Sequence, residues 1–344
     1  MTMKAYQIKK YGKHEPLVLS TLPKPVVGNH QLLIRVKAAS INPVDYKIRQ
    51  GTARMILRYK MPLTLGHDFA GVVAEVGGHS KKFKVGDGVF GRIPISGTSQ
   101  DQPGSFQEFV LVNEEDIALK PTNLSFEQAA AVPLVALTAY QGIHDWLRLH
   151  QGQSILITGG AGGVGHVAIQ LALLTKAKVF TTVSPEGEAF LEKLGVQNVE
   201  YINYRQEKFE SHLVNIDAVF DMQGGEDLRH AFDVIRKGGR VASISYLPTA
   251  SYARATQRGR IATGVLSLLT WGMQRRAKTK QAEFHSFLTV SQAEQLETIA
   301  HYIEANQLTV AVQQVYQEHA INEAMEEIMK GKVKGKLVVQ FDWA

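Results

Sequence analysis

The chain has 344 residues, 44% of them hydrophobic, enough for a sizeable core and for two domains. It contains no cysteine, which excludes disulfides, thiolate metal sites and cysteine nucleophiles. The formal charge of +6 is local: residues 251–282 carry Arg254, Arg258, Arg260, Arg275, Arg276, Lys278 and Lys280 with no acid, so the excess describes that stretch and predicts no specific nucleic-acid partner.

From residue 1 to about 124 short apolar runs alternate with Gly-, Pro- and Asn-rich turns, and Lys4–Ile8, Leu17–Ser20, Gln31–Lys37, Gly71–Val76, Gly88–Gly91 and Phe106–Val112 read as strands. This predicts a compact β-rich domain. The opening residues are strand-like and lack an apolar run of signal-peptide length, so a cytoplasmic compartment is expected. Within this region Asn42-Pro-Val-Asp45 reads as a helix start: Asn42 at the N-cap, Pro43 in the first turn, Asp45 near the positive end of the dipole, and Gly51 as terminator.

From Ser125 onward the pattern changes to helices alternating with strands, at Ser154–Thr158, Lys178–Val183, Asp217–Asp221 and Arg240–Ser245, which predicts an α/β fold with a doubly wound parallel sheet over residues 125–306. The first of these strands runs into Gly160-Ala161-Gly162-Gly163-Val164-Gly165 and then a helix. In that context G-x-G-x-x-G is a dinucleotide signature, because glycines admit the pyrophosphate and the helix start offers it free N–H groups. The second strand ends in Val183-Ser184-Pro185, without the acid that would hold an unphosphorylated ribose, while Tyr204 and Arg205 follow downstream. NADPH is therefore the expected cofactor, with Ser184 donating to its extra phosphate; the same Ser also fits an N-cap. Ile261–Met273 is apolar, too short to span a bilayer, and flanked by the cations; it suits a packed helix, a cleft cover, a dimer contact or a membrane surface. Phe284–Val290 reads as a further strand, Gln292–Ala305 as a helix, and residues 307–344, ending in Leu337–Phe341, as a return to the β-rich domain.

Several motifs in order, Ala39–Lys47, Leu65–Val73, Val85–Phe90, Ala130–Leu134, Leu137–Tyr140, Ala161–Gly165 and Gly335-Lys336, resemble the zinc-free medium-chain dehydrogenase/reductase superfamily. The resemblance is to the branch of quinone oxidoreductases and enone or alkenal reductases, and the insert with Phe284–Val290 is most similar to the reticulon-interacting quinone reductases. It implies a GroES-like β-rich substrate domain (1–124), a Rossmann domain (125–306) and NADPH-dependent hydride transfer to a quinone or enone. It also implies that Asn42 contacts the nicotinamide ribose, that Lys47 faces the substrate carbonyl, that Thr138 lies near the nicotinamide, and that Lys334 meets the cofactor phosphates. A homodimer joined through Phe284–Val290 is implied as well. Where the zinc alcohol dehydrogenases carry a ligand cysteine this chain has Asn42, their relay hydroxyl falls on Val44, and their last ligand falls near Leu134, so no zinc is expected. Only His67 and Asp68 remain of the ligand motif, and two side chains make a poor site for a tetrahedral ion. Two other readings stay open: alcohol oxidation through an unusual His67/Asp68 metal site, and a non-catalytic NADPH-binding structural or regulatory protein.

Overall fold

The computed structural model describes residues 1–52, 59–94, 104–257 and 259–343; Arg258 of the basic stretch and part of the segment before Phe106 lie outside these. The chain forms two compact units, Met1–Leu137 with Val290–Ala344, and Thr138–Thr289.

The first unit is β-rich. β1 (Thr2–Ile8) pairs with β2 (Val18–Pro23) and with β4 (Leu63–Thr64) in a small antiparallel sheet. A seven-stranded sheet is built on β3 (Gln31–Ile41), which pairs with β5 (Asp68–Val76), β7 (Phe109–Asn113) and β16 (Lys336–Gln340). β6 (Gly88–Arg92) and β8 (Ile117–Leu119) extend one side, and β15 (Val312–Gln317) closes the other. Helix α1 (Pro43–Arg49) leaves the end of β3, and α2 (Phe126–Ala130), α3 (Pro133–Tyr140), α10 (Ala293–Glu304) and α11 (Ile321–Met329) complete the unit's helices, α3 running on into the second unit. Leu32, Ile34, Phe69, Val89, Phe106, Ile117 and Val339 are buried in its core; β3, β5, β6 and β16 bury consecutive residues, as strands covered on both faces do, whereas β7 alternates.

The second unit is a parallel sheet in the order β11-β10-β9-β12-β13-β14, where β9 is Ser154–Thr158, β10 Lys178–Val183, β11 Val199–Asn203, β12 Ile216–Asp221, β13 Ile235–Ser243 and β14 Glu283–Ser286. This is the doubly wound order whose direction reverses between β9 and β12, the place where such sheets open a crevice at the strand ends. Helices α4 (Gly165–Leu174), α5 (Pro185–Lys193) and α6 (Gly225–Val234) make the crossovers, and α7 (Ala250–Ala255), α8 (Gly259–Leu269) and α9 (Trp271–Thr279) form the insert.

Three expectations are corrected. The helix at 293–304 and the segment from 125 to 137 belong with the β-rich unit: Glu304 takes the Thr122 N–H at 2.9 Å, and the Asn123 side chain reaches Ile303 O. The strand expected over Phe284–Val290 stops at Ser286; past its end Phe287 is buried, its ring stacked on Trp146 (5.6 Å) and Phe220 (6.3 Å). Nor is the outer edge of β14 open for a second copy. Gln274 Nε2 donates to Phe284 O (3.0 Å), and Thr249 N donates to Ser286 O (2.8 Å), so the insert already covers that edge.

Candidate active site

In the second unit, β9 is held in register at its end by two bonds to β10, Gly159 N to Thr182 Oγ1 (2.9 Å) and Gly160 N to Thr182 O (3.1 Å). The turn then folds on itself through Gly162 N to Gly159 O (3.1 Å), which leaves the N–H groups of Ala161, Gly163 and Val164 with no protein acceptor among the described residues. A Cβ at Gly165 would stand 2.3 Å from Gly159 O, and one at Gly160 would stand 2.2 Å from Thr181 Oγ1. Only glycine lets helix and strand approach so closely. These free donors at the start of α4 fit the pyrophosphate of a dinucleotide.

Two features of this crevice were not legible as a motif. Asp221 is fully buried at the end of β12, where it accepts from Ser243 Oγ (2.7 Å), Thr158 Oγ1 (3.3 Å) and Gly224 N (3.0 Å). It thereby ties the ends of β9, β12 and β13 at the switch point. At the end of β10, Ser184 caps α5, taking the Gly187 N–H at 3.3 Å, and beside it Glu186 pairs with Arg205 at 2.9 Å. Hydrogen bonds from Ser184 and then Arg205 hold the Glu186 carboxyl down to about 2. An acid is thus present after all, two residues beyond Ser184, and it is neutralised by Arg205. Tyr204 is exposed next to Arg205. Thr138 is buried, and its hydroxyl lies 2.5 Å from that of Thr289.

In the first unit the β3–α1 junction brings together Ser40, Asn42, Asp45, His67, Asp68 and Lys336, all buried. Asn42 stands at the N-cap with extended backbone (φ −124°, ψ 154°) and donates its N–H to Asp45 Oδ2 at 2.7 Å. Its side chain looks elsewhere: Nδ2 donates to Asp68 Oδ2 at 2.8 Å, and Oδ1 accepts from the Lys336 ammonium. Asp68 also takes Ser40 Oγ (2.7 Å) and Leu134 N (2.8 Å), with Lys336 Nζ at 3.4 Å. His67 donates Nδ1–H to Asp45 Oδ1 at 2.7 Å. Burial pushes the Lys336 ammonium down from the usual lysine range, opposed by the Asp68 and Asp45 carboxylates. A small cavity of about 20 Å³ between His67 and Tyr59 has room for a single water. Burial, with Tyr11 and Asp45 nearby, pushes the Tyr59 phenol up to about 12, so it remains an O–H donor at neutral pH.

Residues 28–122 match the alcohol dehydrogenase GroES-like domain, and residues 194–339 match the zinc-binding dehydrogenase family. Human mitochondrial NAD(P)H oxidoreductase RTN4IP1 is 30% identical over 360 residues, covering 98% of this chain and 89% of its own length. Among solved structures, the quinone oxidoreductase from Coxiella burnetii superposes with a TM-score of 0.84 at 32% identity over 99% of both chains. The chain belongs to the medium-chain dehydrogenase/reductase superfamily. The 2-methylene-furan-3-one reductase of Solanum lycopersicum is 40% identical over 250 residues, 71% of this chain and 62% of its own length.

A second family name mentions zinc, and the donor set of this dehydrogenase/reductase does not fit that ion. Lys336 presents an ammonium to Asn42 and Asp68, His67 is bonded to Asp45, and no group of three or more His, Asp or Glu side chains converges among the described residues. A cation in that place opposes a dication and supplies no lone pair when protonated. The dinucleotide cradle, by contrast, fits its group. Of the residues singled out by sequence, Asn42 lies in the buried network, whereas Lys47 is exposed on α1, two positions beyond Asp45 and so turned away from it. Lys334 lies half-buried in the turn before β16, its N–H on Gln313 Oε1 at 2.7 Å. The residue that sequence reasoning named only as part of a motif, Lys336, is the one the fold buries. Its signal was Gly335-Lys336 at the head of an apolar strand.

Proposed function

We propose that this chain is an NADPH-dependent oxidoreductase that reduces quinones or the C=C bond of α,β-unsaturated carbonyl compounds without a metal. The observation that carries this reading is the Lys336 ammonium held between Asn42 and Asp68. Loss of a hydride and a proton from a saturated alcohol calls for a Lewis acid or a strong base, whereas an enone or quinone carries its own electron sink and needs orientation and electrostatics. When bound, the nicotinamide supplies a hydride to the β-carbon of the enone or to the quinone. The chain's part is to place the reactants, with Asn42 against the nicotinamide ribose and Thr138 near its ring, and to receive the negative charge that moves onto the substrate oxygen. Lys47 is the proposed donor to that oxygen, and a proton from solvent completes the product.

The relatives named 2-methylene-furan-3-one reductase, NADPH-dependent alkenal/one oxidoreductase and quinone oxidoreductase support this substrate class. For the cofactor, the reading is NADPH over NADH: the extra phosphate takes Arg205 from Glu186, with Ser184, Tyr204 and Lys334 completing its surroundings. A homodimer belongs to the reading only through a face other than the covered β14 edge, and the compartment is taken to be the cytoplasm. The test is a panel of enones, enals and quinones assayed by NADPH oxidation. Turnover on at least one class supports the proposal, and turnover only on saturated alcohols with NAD overturns it.

A further inference from the structure

We propose that α8, with the cations around it, docks this protein on the anionic surface of a phospholipid bilayer. An amphipathic helix in a folded chain ordinarily turns its apolar stripe toward the core. Helix α8 does the reverse. Ile261, Val265, Leu268 and Leu269 fall at i, i+4, i+7 and i+8, on one face, and are 86%, 52%, 79% and 53% exposed; no residue of the helix is buried. Trp271, 58% exposed, continues the apolar patch just past its end.

This outward display is fixed at both ends. Before α8, Tyr252 of α7 is buried and Thr249 is bonded to Ser286 of the sheet edge. After it, Thr270 is buried and Gln274 of α9 holds Phe284 O. The helix is therefore presented by two anchored neighbours. At 11 residues it is about 16 Å long, and no helix among the described residues is long and apolar enough to cross a membrane. Such a helix lies in the headgroup plane with its apolar face inserted.

Charge chooses the partner. Residues 251–282 contain no acid. Asp233 engages Arg276 at 3.4 Å and Lys280 at 3.6 Å, but Arg254, Arg260, Arg275 and Lys278 have no acidic partner among the described residues. Arg254, Arg275 and Lys278 also line a groove of about 1120 Å³ beside Trp271 and Phe284, and Arg275 lies over the Trp271 ring at 5.3 Å. Apolar insertion flanked by unpaired cations is what an anionic bilayer recognises. A second copy fits worse: a two-fold contact would set this acid-free strip against itself. A nucleic acid would use the cations and leave the Ile261–Leu269 ridge in water.

The test is co-sedimentation of the full chain with vesicles of phosphatidylcholine alone and of phosphatidylcholine carrying one third phosphatidylglycerol. Binding to the second and not the first is expected, with a blue shift of Trp271 emission. Ile261→Ser with Leu268→Ser should abolish binding, and Arg275→Glu with Lys278→Glu should weaken it by about thirtyfold or more, the electrostatic contribution of two basic residues. NADPH-dependent turnover of these surface variants should stay at the wild-type value. Three results overturn the proposal: no binding to anionic vesicles, binding that ignores the ridge substitutions and is matched by RNA, or a fall in solution mass for the Ser variant without vesicles, which would make a second copy the occupant.

Discussion

Lys336 carries its ammonium into a place only 3% exposed, where an uncompensated charge would cost several kcal/mol. Its compensation is Asp68, and that carboxylate is in turn satisfied by Ser40, Asn42 and Leu134 N. Lys336→Met should therefore lower unfolding free energy by about 3 kcal/mol, since it strands a buried carboxylate; a loss under about 1 kcal/mol in urea denaturation would mean the pair contributes little. The same change frees the Asn42 amide, so affinity for NADPH should fall with stability restored by osmolyte. Lys47 poses the opposite case, an exposed cation proposed to meet the substrate oxygen. Lys47→Ala and Lys47→Met should each lower turnover on an enone about 10²-fold, the lower range for one donor to a developing oxyanion, with NADPH affinity unchanged. Activity within about threefold of wild type, under ~1 kcal/mol of barrier, would make Lys47 a surface cation on a capped helix. The sequence conveyed the place of Asn42 at the start of α1 because the pattern Asn-Pro-x-Asp is local, but not the turn of its side chain to Asp68 and Lys336. It conveyed Lys336 poorly because its burial depends on β16 pairing with β3, which sets Lys336 against Asn42 across 294 residues, a distance no spacing rule reaches.

Elements show the same division between local and distant causes. β9 and β10 were legible to the residue, since apolar runs bounded by glycine, serine and proline define their ends. β11 and β15 carry Glu, Asn and Gln among few buried side chains, so short edge strands of this kind leave little periodicity to read. The end of β10 yields the prediction at this scale. NADPH should bind at least about tenfold more tightly than NADH, ~1.4 kcal/mol, because Arg205 can exchange Glu186 for a phosphate. Nucleotide fluorescence titration measures both constants, and equal affinities would defeat the reading. Arg205→Gln should erase the preference, and Ser184→Asp should reverse it by like-charge repulsion. Glu186 also offers a pH test with a fixed sign. Its carboxyl is held near 2 in the fold, below the ordinary 4.5, so its contribution is present above pH 4.5 and is lost as pH falls toward 2. In Arg205→Gln the carboxyl should titrate closer to the ordinary range by NMR.

For the whole molecule, two units with separate cores carry different features: a glycine-rich turn with unbonded N–H groups in Thr138–Thr289 and a buried charged network in the β-rich unit. The alternation of short strands followed by a βα repeat made both units legible, while the exact partition was not, because α10 is recognised only by what it touches at Thr122 and Asn123. Cofactor and metal can accordingly be tested apart. NADPH at a hundredfold excess over its Kd should raise unfolding free energy by about 2.7 kcal/mol, as any ligand confined to the native state does. Dialysis against a chelator should change neither that stability nor turnover on an enone, because Lys336 stands beside the donors that a metal would need and His67 is committed to Asp45. Added zinc should likewise leave both unchanged. If chelation instead abolishes activity and one zinc per chain restores it, the ammonium must have left Asn42 and Asp68 to admit the ion, and alcohol oxidation through His67 and Asp68 becomes the better account. Elemental analysis of the dialysed protein distinguishes the two, and Lys336→Met sharpens it: removal of the cation should still not create zinc binding, since Asn42 offers only a weak amide oxygen where a thiolate would be required.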